Sequence, residues 1–275
     1  MVGLDEFEKN FDEKIKSMTL LELSSALRRY ATRDLKHLEK IITKNREKIL
    51  EFLKKRIPNA KLSEIGEFIY VICIISKDLC SSISRYSDRL WKNISNVILN
   101  AELSDIGAFL SGVSHVQIST EIFDLCLKRI KEILHNCNTL EICDFLAHIG
   151  MANATLISHI IKNLEEEVRT IVSRSLQKDP LDVFIMLLGY IYKIDRELTR
   201  QILNTYADTI CQVFNMRIHT MGLDEATSFL LIMAQIDKPL ADRIIQTNMD
   251  ILKERFDEEI KTLLSFIERI KTSTP

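Results

Sequence analysis

The sequence predicts an all-α fold, an α-solenoid of about six helix-turn-helix repeats with a capping helix at each end. Three observations carry that reading: a seven-residue signature recurring at a near-constant interval, apolar residues stepping by three and four between its copies, and a scarcity of Gly and Pro. The 275 residues include 7 Gly and 4 Pro, too little turn chemistry for a sheet-rich fold or a flexible linker between domains. Hydrophobic residues make up 46% and charged residues 28%, so the chain can bury a core and lacks the composition of a disordered one. The many Ile would favour strands by propensity, but they fall at helical spacing, and the spacing outweighs the propensity.

The signature is clearest where Leu62-Ser63-Glu64-Ile65-Gly66-Glu67-Phe68 recurs as Leu103-Ser104-Asp105-Ile106-Gly107-Ala108-Phe109. Degenerate copies begin at Thr139 and Leu223, looser ones at Leu20 and Pro180. The six starts lie 36 to 43 residues apart, a period within the range of helical repeats. Ser24, Gly66, Gly107, Cys143 and Thr227 hold one position in this first helix, where a short side chain lets a neighbouring helix approach. Phe184 breaks the rule in the fifth copy.

A second signature follows each first one: Asp34-Leu35, Asp78-Leu79, Gln117-Ile118, Asn153-Ala154, Glu197-Leu198 and Pro239-Leu240. Acidic residues and Asn suit a helix start, where an oxygen meets unpaired N–H groups, and Pro is tolerated in a first turn. Each repeat therefore reads as helix, short turn, helix. In the first repeat Leu35, Leu38, Ile42, Ile49 and Phe52 form the expected buried stripe of the second helix. In the fourth, Ile157, Ile161, Leu164, Val168, Ile171 and Ser175 form its counterpart.

The ends are one-sided. Leu4, Phe7, Phe11, Ile15 and Met18 mark an opening helix, and Phe256, Ile260, Leu263, Ile267 and Ile270 a closing one, each with a charged opposite face. Such helices shield the end repeats of an array. The expected organisation is one helical-repeat domain over 1–275: a cap over 1–18, six hairpins over 19–256, and a cap over 257–275, together a whole domain.

Over about residues 19 to 256 this layout resembles the HEAT-like group of α-solenoids. Tetratricopeptide (TPR-like) repeats fit less well, their period being shorter and their Trp, Gly, Tyr and Pro marks out of register here. The resemblance is one of architecture, and it implies an elongated, curved surface used as a scaffold or adaptor.

Chemistry-bearing motifs are few. Gly-x-Ser-x-Gly, Walker A, Gly-x-Gly-x-x-Gly, Cys-x-x-Cys and His-Glu-x-x-His do not occur, so no catalytic, cofactor-binding or metal-binding residue is assigned and an enzyme is not expected. His135, Cys137, Cys143 and His148 lie within fourteen residues and form the best metal candidate by ligand type. Their spacing matches no common finger, and packing is the preferred reading. The Glu165-Glu166-Glu167 and Asp257-Glu258-Glu259 runs read as solvated helix faces.

The opening residues Met1 to Glu6 carry acid where a secretory signal would be basic. The longest apolar stretch, Val183 to Tyr192, is about half of a membrane span, which needs ~20 residues. Neither export nor a membrane is expected. Six Cys (Cys73, Cys80, Cys126, Cys137, Cys143 and Cys211) dispersed among apolar neighbours suit a reducing cytoplasm.

A net charge of -2 argues against a whole-surface nucleic-acid binder, yet the charge is uneven. From Arg28 to Arg56 eleven basic residues face four acidic ones. Within them Lys36, Lys40, Lys44 and Lys48 step by four into a ridge, joined by Arg29 and Arg33. The sequence thus points to a non-catalytic protein-protein interaction scaffold, with these six residues as the partner-binding face and an acidic protein as a fitting partner. RNA, ahead of DNA, is the alternative occupant, although no aromatic residue is interleaved to stack on bases. A solvated face that keeps an end repeat in solution explains the same charges. Oligomeric state is left open.

Overall fold

Side-chain oxygens set the helix boundaries. Thr19 and Asn138 start their helices with reciprocal capping boxes: the Thr19 hydroxyl accepts from the Glu22 N–H (3.2 Å) while the Glu22 carboxylate accepts from the Thr19 N–H (2.8 Å). Asn138 and Glu141 repeat the exchange at 3.0 and 2.8 Å. Each box satisfies two of the donors that a helix N-terminus leaves unpaired.

A computed structural model describes residues 4–85, 94–116 and 118–272, with side chains from 6 to 257. Among the described residues there are fifteen α-helices and no strand. The chain divides into two compact units, Met1–Glu167 and Val168–Pro275. The first holds α1 (Leu4–Lys9), α2 (Phe11–Ser17), α3 (Leu20–Lys44), α4 (Arg46–Arg56), α5 (Leu62–Ile75), α6 (Lys77–Arg85), α7 (Ser95–Leu99), α8 (Leu103–Gly112), α9 (Thr120–Leu134) and α10 (Thr139–Ile149). The division falls inside α11 (Ala154–Lys178). The second unit continues with α12 (Leu181–Ile194), α13 (Arg196–Arg217), α14 (Leu223–Ile236) and α15 (Lys238–Thr272).

The joints between paired helices are unusually short. Asp34, Ser76, Asp195 and Asp237 share an extended conformation, with φ from -152° to -140° and ψ from 87° to 109°. Each is a single residue with helix on both sides. The Ser76, Asp195 and Asp237 N–H groups still donate to the carbonyl four residues back, at 2.8, 2.7 and 2.7 Å. In all four, the side-chain oxygen accepts from the N–H three residues ahead, on His37, Leu79, Leu198 and Leu240. One residue therefore ends one helix and caps the next.

These joints correct the sequence reading. The caps stand two residues before Asp78, Glu197 and Pro239; Asp78 and Glu197 are first-turn acids instead, favourable to the helix dipole. Asp34 is itself the cap, so Leu35 is not the counterpart of Leu79, Leu198 and Leu240. Those three are buried, whereas Leu35 is 44% exposed. In the fifth copy Pro180 is the N-cap and its carbonyl accepts from Phe184 N–H at 3.1 Å. The helix starts at Leu181, so Phe184 aligns with buried Ile65 and Ile106, and the position held elsewhere by a small residue falls on buried Ile185: the fifth copy breaks the small-residue rule one residue later than the sequence placed it.

Where a small residue was expected, the backbones do approach. A Cβ on Gly66 would lie 2.6 Å from the Phe109 Cα, and one on Gly107 would lie 3.0 Å from the Phe145 ring. Ser24 and Cys143 are buried at the same position, but Thr227 is exposed. Accordingly α5 packs against α3 and α8, and α8 against α10; in the second unit α14 packs against α12 and α15. Phe68, Phe109, Phe145 and Phe229, seven residues after their N-caps, are completely covered. Burying each such ring is worth about 2–3 kcal/mol over leaving it in water.

Arginines join helix ends. Arg255 donates to the carbonyls of Ile218 (3.0 Å) and Met221 (3.2 Å) beyond the end of α13. Arg217 donates to those of Asp179 and Gln177 at the end of α11, and Arg56 to Lys16 in the last turn of α2 (2.8 Å). Each guanidinium meets carbonyls that a helix C-terminus leaves unpaired.

The termini differ in detail from expectation. The opening helix is broken at Asn10 into α1 and α2, with Phe7, Phe11 and Ile15 buried. No break separates a closing helix, since α15 runs unbroken through 256 and 257. The side chains of Leu4, Ile260, Leu263, Ile267 and Ile270, and residue Gln117, lie outside the described set. Cys73 and Cys80, read as dispersed thiols, form a disulfide across the Ser76 joint. No helix among the described residues is long and apolar enough to cross a membrane.

Candidate functional site

The six basic residues expected to form the partner-binding face are divided among three helical segments. Arg29 and Arg33 precede the Asp34 joint, Lys36, Lys40 and Lys44 follow it, and Lys48 lies beyond a second break at Asn45. All six are exposed, so the segment is basic as expected. The opening helices then neutralise part of it. Glu8 pairs with Lys44 (2.9 Å) and reaches His37 (3.5 Å), and Asp12 pairs with Lys48 (2.5 Å). The Lys44 ammonium, as hydrogen-bond donor and as charge, holds the Glu8 carboxyl below the usual carboxylate range, with a smaller contribution from His37. The Arg29 guanidinium turns back to the Ser25 carbonyl (3.3 Å). Among the described residues, Lys36 and Lys40 take part in no ion pair.

The residues weighed as metal ligands do not converge. His135 is the C-cap of α9, Cys137 is half-buried in the following turn, and Cys143 is buried among the α10 contacts. The His148 ring donates through Nδ1 to the Asp144 carbonyl (2.9 Å). Among the described residues, no three His, Cys, Asp or Glu side chains lie close enough together to hold a metal ion. Burial pushes the Cys126 thiol up to about 12, far from the thiolate form a nucleophile needs.

A second surface emerges only in three dimensions. On the first unit, α3, α5, α8 and α10 surround a trough of about 330 Å³. Its floor is Ala108, Ser111 and Gly112 of α8, recessed because that helix lies so close to its neighbours. One wall is Glu67 and Tyr70 of α5, with Arg28 of α3 above them. The Arg28 guanidinium pairs with Glu67 (2.6 Å) and lies over the Tyr70 ring, 5.6 Å from its centroid. The other wall is His148 and Met151, the latter 66% exposed.

The polar groups of the trough retain bonding capacity. Among the described residues, the Tyr70 and Ser111 hydroxyls make no hydrogen bond. The His148 Nδ1 faces the Asp144 carbonyl and donates to it. Sequence reasoning passed over this trough because its residues come from four separated segments. A signal was nevertheless present: Ala108, Ser111 and Gly112 are three small residues within one turn of α8.

Comparison with known proteins gives no relative: the chain matches no protein family, no curated protein and no solved structure.

Proposed function

We propose that this chain is a non-catalytic protein-protein interaction scaffold, its helix pairs stacked in series as an α-solenoid of six hairpins. The observation that carries the proposal is the run of contacts from α3 through α5 and α8 to α10, each helix packed against the next. Side chains from separate helices then form one continuous surface, the usual way stacked helical pairs hold a partner. The near-identical joints at Asp34, Ser76, Asp195 and Asp237 and the arginine links between helix ends support the stacking.

Cross-linking the tagged chain in its native extract, identifying the captured protein and titrating the two purified proteins tests this reading. A stoichiometric complex of micromolar affinity or tighter is expected. Failure of every captured protein to bind when purified overturns it.

A second reading, RNA binding by the basic hairpin, is favoured by one observation, the exposure of Lys36 and Lys40, which pair with no acid among the described residues. It requires affinity for single-stranded RNA that falls steeply with salt and is lost on Lys36→Glu/Lys40→Glu. With Lys44 and Lys48 engaged by Glu8 and Asp12, the ridge offers fewer free charges than the sequence promised, and protein binding remains the preferred reading.

A further inference from the structure

We propose that Cys73 and Cys80 form a reversible redox site, opened and closed by thiol–disulfide exchange with glutathione, whose state governs the order of α6. The site goes beyond the scaffold reading and does not depend on it.

The four one-residue joints are not equally held. At Asp34, Asp195 and Asp237 a carboxylate caps the next helix, its oxygen 2.9, 2.9 and 3.0 Å from the N–H. At Ser76 the cap is a neutral hydroxyl at 3.3 Å, and the same oxygen is shared with the Thr43 hydroxyl, also at 3.3 Å. A charged acceptor makes the stronger bond, so Ser76 is the weakest cap of the four. Among the described residues of α6, only Leu79, Ser82 and Ile83 are buried. This joint alone, among the described residues, is crossed by a covalent bond. The tether spans seven residues and holds the last turn of α5 to the first turn of α6, where the cap is poorest.

The bond is also placed to open. Cys73 and Cys80 are half-buried, within reach of a small thiol, whereas Cys126, Cys143 and Cys211 are buried. The reduced state has a place for its proton: Cys80 Sγ lies 3.5 Å from the His115 carbonyl, an acceptor for an S–H donor.

Exchange runs in two steps. A glutathione thiolate attacks Cys73 Sγ, the S–S bond breaks, and Cys80 leaves as a thiolate that takes up a proton and donates to His115. A second glutathione thiolate attacks the glutathione sulfur of the mixed disulfide and releases Cys73 as a thiol. Two electrons pass from two glutathiones to the cysteine pair, the protons shed by glutathione end on the two cysteines, and glutathione disulfide is the by-product. The reverse sequence closes the bond. With the tether cut, the shared Ser76 hydroxyl is left to hold the start of α6.

Hydrogen exchange of the full chain, read by mass spectrometry in buffers of graded reduced-to-oxidised glutathione ratio, tests this. Alkylation of the same samples counts the dithiol fraction, and circular dichroism shows that the chain stays folded. The dithiol fraction is expected to rise smoothly with the ratio, and α6 amides to exchange at least about tenfold faster in the dithiol form. The first turns of α13 and α15, capped by Asp195 and Asp237, should exchange equally in both forms. Cys73→Ser/Cys80→Ser should match the reduced parent at every ratio, and Cys80→Ser alone replaces it should the double variant not fold. Ser76→Ala should widen the difference between the two forms, because the reduced chain then loses its remaining cap.

A bond that resists excess reduced glutathione until urea unfolds the chain is a structural cross-link, and that result overturns the proposal. Equal exchange of α6 in the two forms does the same, as does a loosening that spreads equally to α13 and α15. No partner takes part in these measurements, so the scaffold reading stands or falls separately.

Discussion

Gly112, the last residue of α8, lies against the backbone of Gly66 in α5, so close that a Cβ on Gly112 would overlap the Gly66 carbonyl group. Neither glycine has a positive φ, so what glycine supplies here is the absence of a side chain. The prediction is specific. Gly112→Ala and Gly66→Ala should each lower the stability of the chain by about 1–3 kcal/mol, the usual range for overpacking, read as a fall in the urea midpoint. Gly189→Ala is the matched contrast. The nearest atom to its added methyl is 3.9 Å away and the site is helical, so it should be neutral or stabilising by up to about 1 kcal/mol.

The one-residue joints predict a graded series. Asp195→Ala and Asp237→Ala remove the oxygen that caps α13 or α15, and each should cost about 1 kcal/mol. Asp→Asn or Asp→Ser at the same positions keeps an acceptor and should recover most of that loss. Thermal melts of the six variants check the ranking; equal loss in the Ala and Asn variants would show that the side-chain oxygen is not what holds the joint.

Acid should loosen the opening helices first. The Glu8 carboxyl titrates below its ordinary value of 4.5 because Lys44 and His37 favour its charged form. A depressed folded-state value means that the ionised Glu8 contributes stability above the unfolded-state pKa and loses it as pH falls through the folded one. Glu8→Gln should therefore lower the melting temperature at pH 6–7, and the gap from the parent chain should close below about pH 4. High salt should narrow the same gap, since the Lys44 side is open to solvent.

Thiol chemistry separates the six cysteines. In the native chain at pH 8, Cys137 should alkylate ahead of Cys126, Cys143 and Cys211, which are buried, and Cys126 should be the slowest because its thiol titrates at about 12. Cys73 and Cys80 should label only after reduction. Peptide mapping by mass spectrometry reads all six. Prompt labelling of Cys126 in the folded chain would contradict its burial.

The all-helical character was legible because period and composition agree along the whole chain. Register was harder. The sequence aligned Asp34 with Asp78 and Glu197 by residue type, but an aspartate serves equally as an N-cap or as a first-turn acid. Only the backbone at Ser76 and Asp195 tells the two roles apart. Pro180 misled by one residue in the same way. The ridge of lysines was visible as a charge pattern, while its partial neutralisation depended on Glu8 and Asp12, about 36 residues earlier in the chain. The arginine links and the Cys73–Cys80 bond also join residues that no local pattern relates. The trough was hidden for a further reason: its lining comes from residues as far apart in the chain as Arg28 and Met151.

The single-residue joints also decide where this chain could accept new sequence. At Ser76, Asp195 and Asp237 a single φ/ψ pair sets the direction of the next helix, so one inserted residue would rotate everything that follows and strand a cap. Gly222 has open space where a side chain would be, and it ends the wider turn after α13. Fluorophores, affinity tags or grafted loops belong there, and the natural variation in length among descendants of this chain should collect in such turns as well.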